Sequence, residues 1–208
     1  MADIAVAHAT SPYASAYPWS SGFGSKYSNP ATLPTGTGRG VAFGSSDIAV
    51  AHDTSPYVSA YPWSSGFGSK YSDPGTLPTG TSNGVAFGSS DIAVAHSTSP
   101  YASAYPWSSG FGSKYSNPAT LPTGTGTGVA FGASDIAVAH DTSPYVSAYP
   151  WSSGFGSKYS DPGTLPTGTG RGVAWFSGGS PPSATPQFLR MHAYSKINST
   201  NMPNSLIN

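Results

Sequence analysis

The sequence contains no cysteine and no glutamate, and only 8% of its 208 residues are charged. Without thiols there are no disulfides, no cysteine-based zinc sites and no thiol nucleophile. Eight aspartates balance eight lysines and arginines, so the formal net charge is zero. That leaves no field to attract nucleic acid or an acidic membrane surface. No apolar run approaches the roughly 20 residues that cross a bilayer as a helix. The opening Met1-Ala2-Asp3-Ile4 lacks the basic and apolar regions of a signal peptide. Stretches of good helix formers are missing too, and 26 glycines and 20 prolines interrupt the chain every few residues. What is present is material to bury: 37% of residues are hydrophobic and 13% aromatic. Disordered chains have the opposite balance, low hydrophobicity with high net charge. The expected class is all-β.

Most of the chain is one repeat. Asp3, Asp47, Asp91 and Asp135 each open the string DIAVAH, which fixes a period of 44 residues. Trp19, Trp63, Trp107 and Trp151 keep the same spacing. A second period of 88 residues lies over the first, because Ala14 and Ala102 alternate with Val58 and Val146. Inside one copy the turn signals are regular. The run Gly84–Phe87 precedes a Gly-Ser-Ser-Asp turn, Ile92–His96 follows, and Tyr101–Tyr105 alternates bulky and small residues as a packed strand does. Pro106 places the end of that strand near an edge, and Phe111–Tyr115 is expected as a fourth, outer strand. Four short strands in about 44 residues match one blade of a β-propeller. The fold class expected is therefore an all-β propeller of four four-stranded blades over residues 1–176. The blades would form either a closed four-blade ring or half of an eight-blade ring made by two chains. The repeats open on a second strand and close on a first strand, Gly172–Phe176, so one shared blade is expected to pair those two segments.

The strings VAF, IAVAH and TSPY and the linker Asn117–Gly126 (NPATLPTGTG) carry a resemblance. Over residues 3 to 176 the chain resembles the WD-repeat-like propellers of bacteria and bacteriophages whose blades are recent, near-identical amplifications. That resemblance implies a propeller and a phage setting, and it implies no single activity. No copy has a Gly-His pair before its first strand or a Trp-Asp pair ending its third. The hydrogen-bond network of eukaryotic WD repeats therefore does not carry over.

No set of residues reads as catalytic. His8, His52, His96 and His140 would be the metal candidates, but they end second strands, away from an axis, and strand capping is the expectation. Asp53 beside His52 and Asp141 beside His140 point to opposite faces of a strand and suit turns. The aromatic residues allow two readings: filler between blades, or exposed rings that stack on sugars, with Trp19, Trp63, Trp107 and Trp151 the possible ligand-binding residues. Residues 177–208 break the repeat with a Gly-Ser-Pro spacer. A stretch containing Phe188, Leu189, Met191 and Tyr194 follows, the possible docking arm. The function expected is non-enzymatic: a structural or adhesive propeller, which the resemblance extends to a virion component such as a fibre, tail or capsid accessory. Alternatives are a multivalent carbohydrate-binding propeller and a metal-dependent enzyme on the same scaffold. The expected partners are proteins, as a homo-oligomer or larger assembly, with glycans the alternative, and with no nucleic acid, no cofactor and no membrane insertion. The expected location is the virion, otherwise the cytoplasm.

Overall fold

The computed structural model describes residues 2–176. The proposed arm residues Phe188, Leu189, Met191 and Tyr194 lie outside the described residues. Eleven strands, and no helix among the described residues, build four antiparallel sheets in chain order. β1 (Ala2–Ala7) and β2 (Ala14–Trp19) form the first sheet. β3 (Gly38–Phe43), β4 (Asp47–His52) and β5 (Val58–Pro62) form the second as a meander. β6 (Ser82–Phe87), β7 (Asp91–His96) and β8 (Ala102–Pro106) repeat it, as do β9 (Gly126–Phe131), β10 (Asp135–His140) and β11 (Val146–Pro150). The DIAVAH segment is the central strand of each three-stranded sheet, and β4 and β7 are buried along their whole length. A strand covered on both faces reads as a continuous apolar run, which this one is.

The alternation within that run explains how the sheets stack. Ala49, Ala51, Val58 and Ala60 on one sheet meet Val85, Ile92, Val94 and Tyr105 on the next. The following junction repeats the pattern, with Ala93, Ala95, Ala102 and Ala104 against Val129, Ile136, Val138 and Tyr149. Each sheet thus has a small face and a large face, and the large face of one fills the small face of its neighbour. Burying each such Ile, Val or Tyr side chain stabilises by about 1.5–3 kcal/mol. Along the first strands the backbones nearly touch. A Cβ on Gly84 would lie 3.1 Å from the Cα of Gly128, and one on Gly128 would lie 3.0 Å from the Cα of Gly172. Glycine at these positions sets how closely successive first strands approach.

One position departs from the repeat at a cost. Ser82 occupies the slot held by Gly38, Gly126 and Gly170 in the other copies. Its hydroxyl is buried and has no hydrogen-bond partner. Such a group costs about 1–3 kcal/mol, more than the entropy a glycine adds to the unfolded chain. Ser82→Gly should therefore raise stability by about 1 kcal/mol, read as a higher urea midpoint with an unchanged slope.

Two expectations need correction. The sheets have three strands or two, not four. Phe111–Tyr115 lies beside β8, but one isolated bridge, Trp107 with Phe111, and two further backbone hydrogen bonds join them rather than a ladder. The reason is register: Gly112 N–H reaches the Pro106 carbonyl and Tyr115 N–H reaches that of Ala104. Donors three residues apart face acceptors two apart, so no ladder forms. The blades also do not close into a ring within the chain. Residues 172–176 form no strand and do not pair with β1, whose hydrogen-bonded neighbour is β2 alone among the described residues.

Candidate functional site

The polar side chains of the repeat converge where one sheet meets the next, and the same constellation recurs at each junction. Asp47 begins β4 and is buried. Its Oδ1 accepts from the Tyr71 hydroxyl of its own blade at 2.8 Å, and its Oδ2 accepts from the Trp107 indole of the next blade at 3.0 Å. Asp91 binds Tyr115 and Trp151 in the same way, at 2.8 and 3.0 Å, and Asp3 binds Tyr27 and Trp63 at the same distances. Each carboxylate therefore fastens two blades through charge-assisted bonds. Burial, then the bond to Asp47, pushes the Tyr71 hydroxyl up to about 12.

Around each indole the rings stand edge to face. Trp107 meets Tyr71 at 5.3 Å, Phe87 at 5.1 Å and Phe111 at 5.1 Å between centroids. Trp151 has the same three neighbours in Tyr115, Phe131 and Phe155, and Trp63 has Tyr27, Phe43 and Phe67. Trp63, Trp107 and Trp151 are thus half-buried between blades, with indole N–H groups already committed. Trp19 is different: it is 40% exposed and packs on Phe23.

The histidines sit inside the sheets. His96 Nδ1 lies 2.8 Å from the Thr98 carbonyl, an acceptor only, so Nδ1 carries the proton. Burial depresses the ring's affinity for a second proton, to about 4, so Nε2 accepts from the Ser103 hydroxyl at 3.0 Å. His52 and His140 repeat this with Ser59 and Ser147, and their affinities are also lowered by burial. His8 keeps the Ser15 contact at 3.0 Å. Each pair has a base beside a hydroxyl, the first requirement for an activated nucleophile. Ser59, Ser103 and Ser147 nevertheless have at most 2% of their surface exposed, and the histidines lie in separate sheets. No group of three or more potential ligands that could hold a metal ion occurs among the described residues.

Hydroxyls of the linkers sew successive blades together. Thr79 donates to the Ser99 carbonyl at 2.9 Å and Thr123 to that of Ser143 at 2.7 Å. The Tyr105 hydroxyl reaches back to the Thr76 carbonyl at 2.9 Å. Tyr27, Ser64, Ser65 and Phe67 line an open groove of about 390 Å³, and Tyr115, Ser152, Ser153 and Phe155 line its counterpart. Asp53, a turn residue in the sequence reading, bonds Thr54 and lies 3.7 Å from Arg39 on the surface. No helix among the described residues is long and apolar enough to cross a membrane. Sequence reasoning singled out the histidines and rings but not the aspartates that open the strands. The available signal was a constant offset of 60 residues from each Asp to the Trp it binds.

No protein-family model matches the chain, and no curated protein matches it. Among solved structures it is similar to the computationally designed Ika8 protein, at 9% identity and a TM-score of 0.50 over 66% of this chain and 39% of that one. It is similar also to the computationally designed Ika4 protein, at 9% identity and a TM-score of 0.50 over 65% of this chain and 78% of that one. The chain thus spans about two-fifths of the length of Ika8. At this identity the similarity bears on the fold alone: an all-β, propeller-like array of repeated sheets.

Proposed function

We propose that the protein is a non-enzymatic β-propeller that serves as a structural or adhesive component of an assembly. The observation that carries this reading is the commitment of the repeat's reactive side chains. The histidines, the strand-opening aspartates and the indoles within the array bond neighbouring sheets or loops, while apolar surface stays exposed at both ends of the array. Chemistry is spent on holding blades together, and the unspent surface faces outward. The resemblance of the repeat to phage propellers supports a place in the phage particle. Mass spectrometry of purified particles tests this: the reading expects the protein in stoichiometric amount, and its absence from particles contradicts it. A second reading, multivalent glycan binding, is favoured by the aromatic and serine-lined groove that recurs between blades. Binding on a glycan array that is lost on Phe67→Ala with Phe155→Ala would support it.

A further inference from the structure

Among the described residues the exposed large apolar side chains fall in two places. Val6, Trp19 and Phe23 surround the β1–β2 sheet, and Tyr159, Leu165, Trp175 and Phe176 follow β11. Val6 is 45% exposed, whereas its counterparts Val50, Val94 and Val138 are 0% exposed. The difference lies in a missing neighbour: Val94 and Val138 pack on the small face of the preceding sheet, and among the described residues no sheet covers β1 on that face, nor does a first strand flank it. β4, β7 and β10 each have a first strand on the edge that β1 leaves open.

The other end holds that strand without a sheet. Residues 172–175 (GVAW) repeat the GVAF run of β3, β6 and β9, and they already occupy the first-strand position against β9. The Cα of Gly172 lies against Gly128, as that of Gly128 lies against Gly84. The Trp175 ring covers Gly132, as Phe131 covers Gly88. Trp175 Nε1 also donates to the Ala130 carbonyl at 3.1 Å.

The polar groups are complementary as well. Asp3, Asp47 and Asp91 each accept an indole N–H from the next blade. Among the described residues Asp135 binds Tyr159 but no indole, and of the four tryptophans at 44-residue spacing Trp19 binds no carboxylate while Trp63, Trp107 and Trp151 do. One end therefore lacks what the other presents: strand, ring, donor and acceptor.

We infer that the missing partner is a second copy of this chain, and that two copies pair β1 of each with residues 172–175 of the other to close one ring. This rests on the structural reading above and names its partner. The internal junctions supply the register. Val173 lies opposite Val6 of the second copy, as Val85 lies opposite Val94 and Val129 opposite Val138. Trp175 lies opposite Ile4 of the second copy, as Phe87 lies opposite Ile92. Trp19 then receives Asp135, Tyr159 and Trp175 of the second copy, repeating what Asp47, Tyr71 and Phe87 supply to Trp107. Within one chain residues 172–176 rest on β9 and leave one edge of β1 unpaired. Two is the smallest number of copies that leaves no such edge open.

Sedimentation equilibrium of the full chain and two variants tests the proposal. Val6→Asp puts a charge where the lone chain is open to water but the junction is dry, and Val173→Asp does so on the facing segment. The wild type should have twice the 21.1 kDa chain mass, and each variant should fall to one chain with its β circular dichroism intact. A 1:1 mixture of the variants should recover the two-chain mass, because a mixed pair keeps one junction free of either charge. Val6→Thr, a milder change, should raise the dissociation constant roughly tenfold while the fold survives. A wild-type mass of one chain, or of three or more, overturns the proposal. So do variants that stay paired, or a mixture that stays single. None of these outcomes bears on whether the protein is found in particles, so failure of the ring and failure of the structural reading are told apart.

Discussion

Replacing Asp91 by alanine should lower the unfolding free energy by about 3–6 kcal/mol and split one cooperative transition into two. Two donors lose their acceptor at once, the Tyr115 hydroxyl and the Trp151 indole. A hydrogen bond to a charged group contributes about 1.5–3 kcal/mol, and a buried donor left alone costs a similar amount. Because blades in a repeat array stabilise one another through nearest-neighbour contacts, the break falls between the β6–β8 sheet and the β9–β11 sheet. Asp53→Ala is the control. That carboxylate sits at the surface beside Arg39, where ion pairs contribute at most about 1 kcal/mol. Urea unfolding followed by Trp fluorescence compares the two. Equal midpoints for the two variants would contradict the role given to Asp91.

Stability should also fall steeply between about pH 6.5 and pH 4, earlier than carboxylate protonation alone would bring. Burial lowers the proton affinity of His52, His96 and His140, the second of them to about 4. An unfolded histidine titrates near 6.5. As pH drops through that value the unfolded chain takes up protons that the folded sheets refuse, so unfolding is favoured. Above about pH 7 both states are neutral at these rings and the contribution is flat. Each ring adds a slope of up to about 1.4 kcal/mol per pH unit. For His96 the total is about 3 kcal/mol once the pH reaches its folded value. The bond from Nδ1 to the Thr98 carbonyl works against burial without cancelling it, and Lys114 adds to the lowering. Urea midpoints measured from pH 7.5 to 4.5 should show the decline, and His96→Asn should remove part of it. A flat profile down to pH 5 would rule out buried neutral histidines.

The strands were legible because their side chains declare where they sit. DIAVAH is apolar on both faces and forms the central strand, and the alternation in YVSAY marks the third strand. The 44-residue spacing of Asp and Trp announced that every sheet would be built alike. The fourth strand failed because Phe111–Tyr115 has strand composition while its hydrogen bonds step out of register at Gly112 and Tyr115. Composition carries no record of such a mismatch. Asp91 was read as a turn residue, which its Gly-Ser-Ser-Asp setting suggests. Its role depends on a Trp 60 residues away, a distance only the stacking of sheets makes short. The His–Ser pairs were hidden in loop geometry. His96 and Ser103 meet because the loop between them brings the His96 N–H onto the Tyr101 carbonyl, with Tyr101 at a φ of 69°. That one chain does not close on itself was the least legible feature, since the turn per blade is set by how far small faces admit large ones, and no pattern along the chain states that angle.

Hydrogen exchange of β1 in the 208-residue protein tests the central claim most directly. The N-terminal peptide is distinguishable because Ala9 follows its histidine, where Asp53, Ser97 and Asp141 follow the others. If β1 is completed by a first strand from a second copy, its amides should be protected as strongly as those of β4, β7 and β10, and dilution should abolish that protection in β1 first. Fast exchange in β1 at every concentration, with β4, β7 and β10 protected, would mean that its edge stays open and that no second copy fills it.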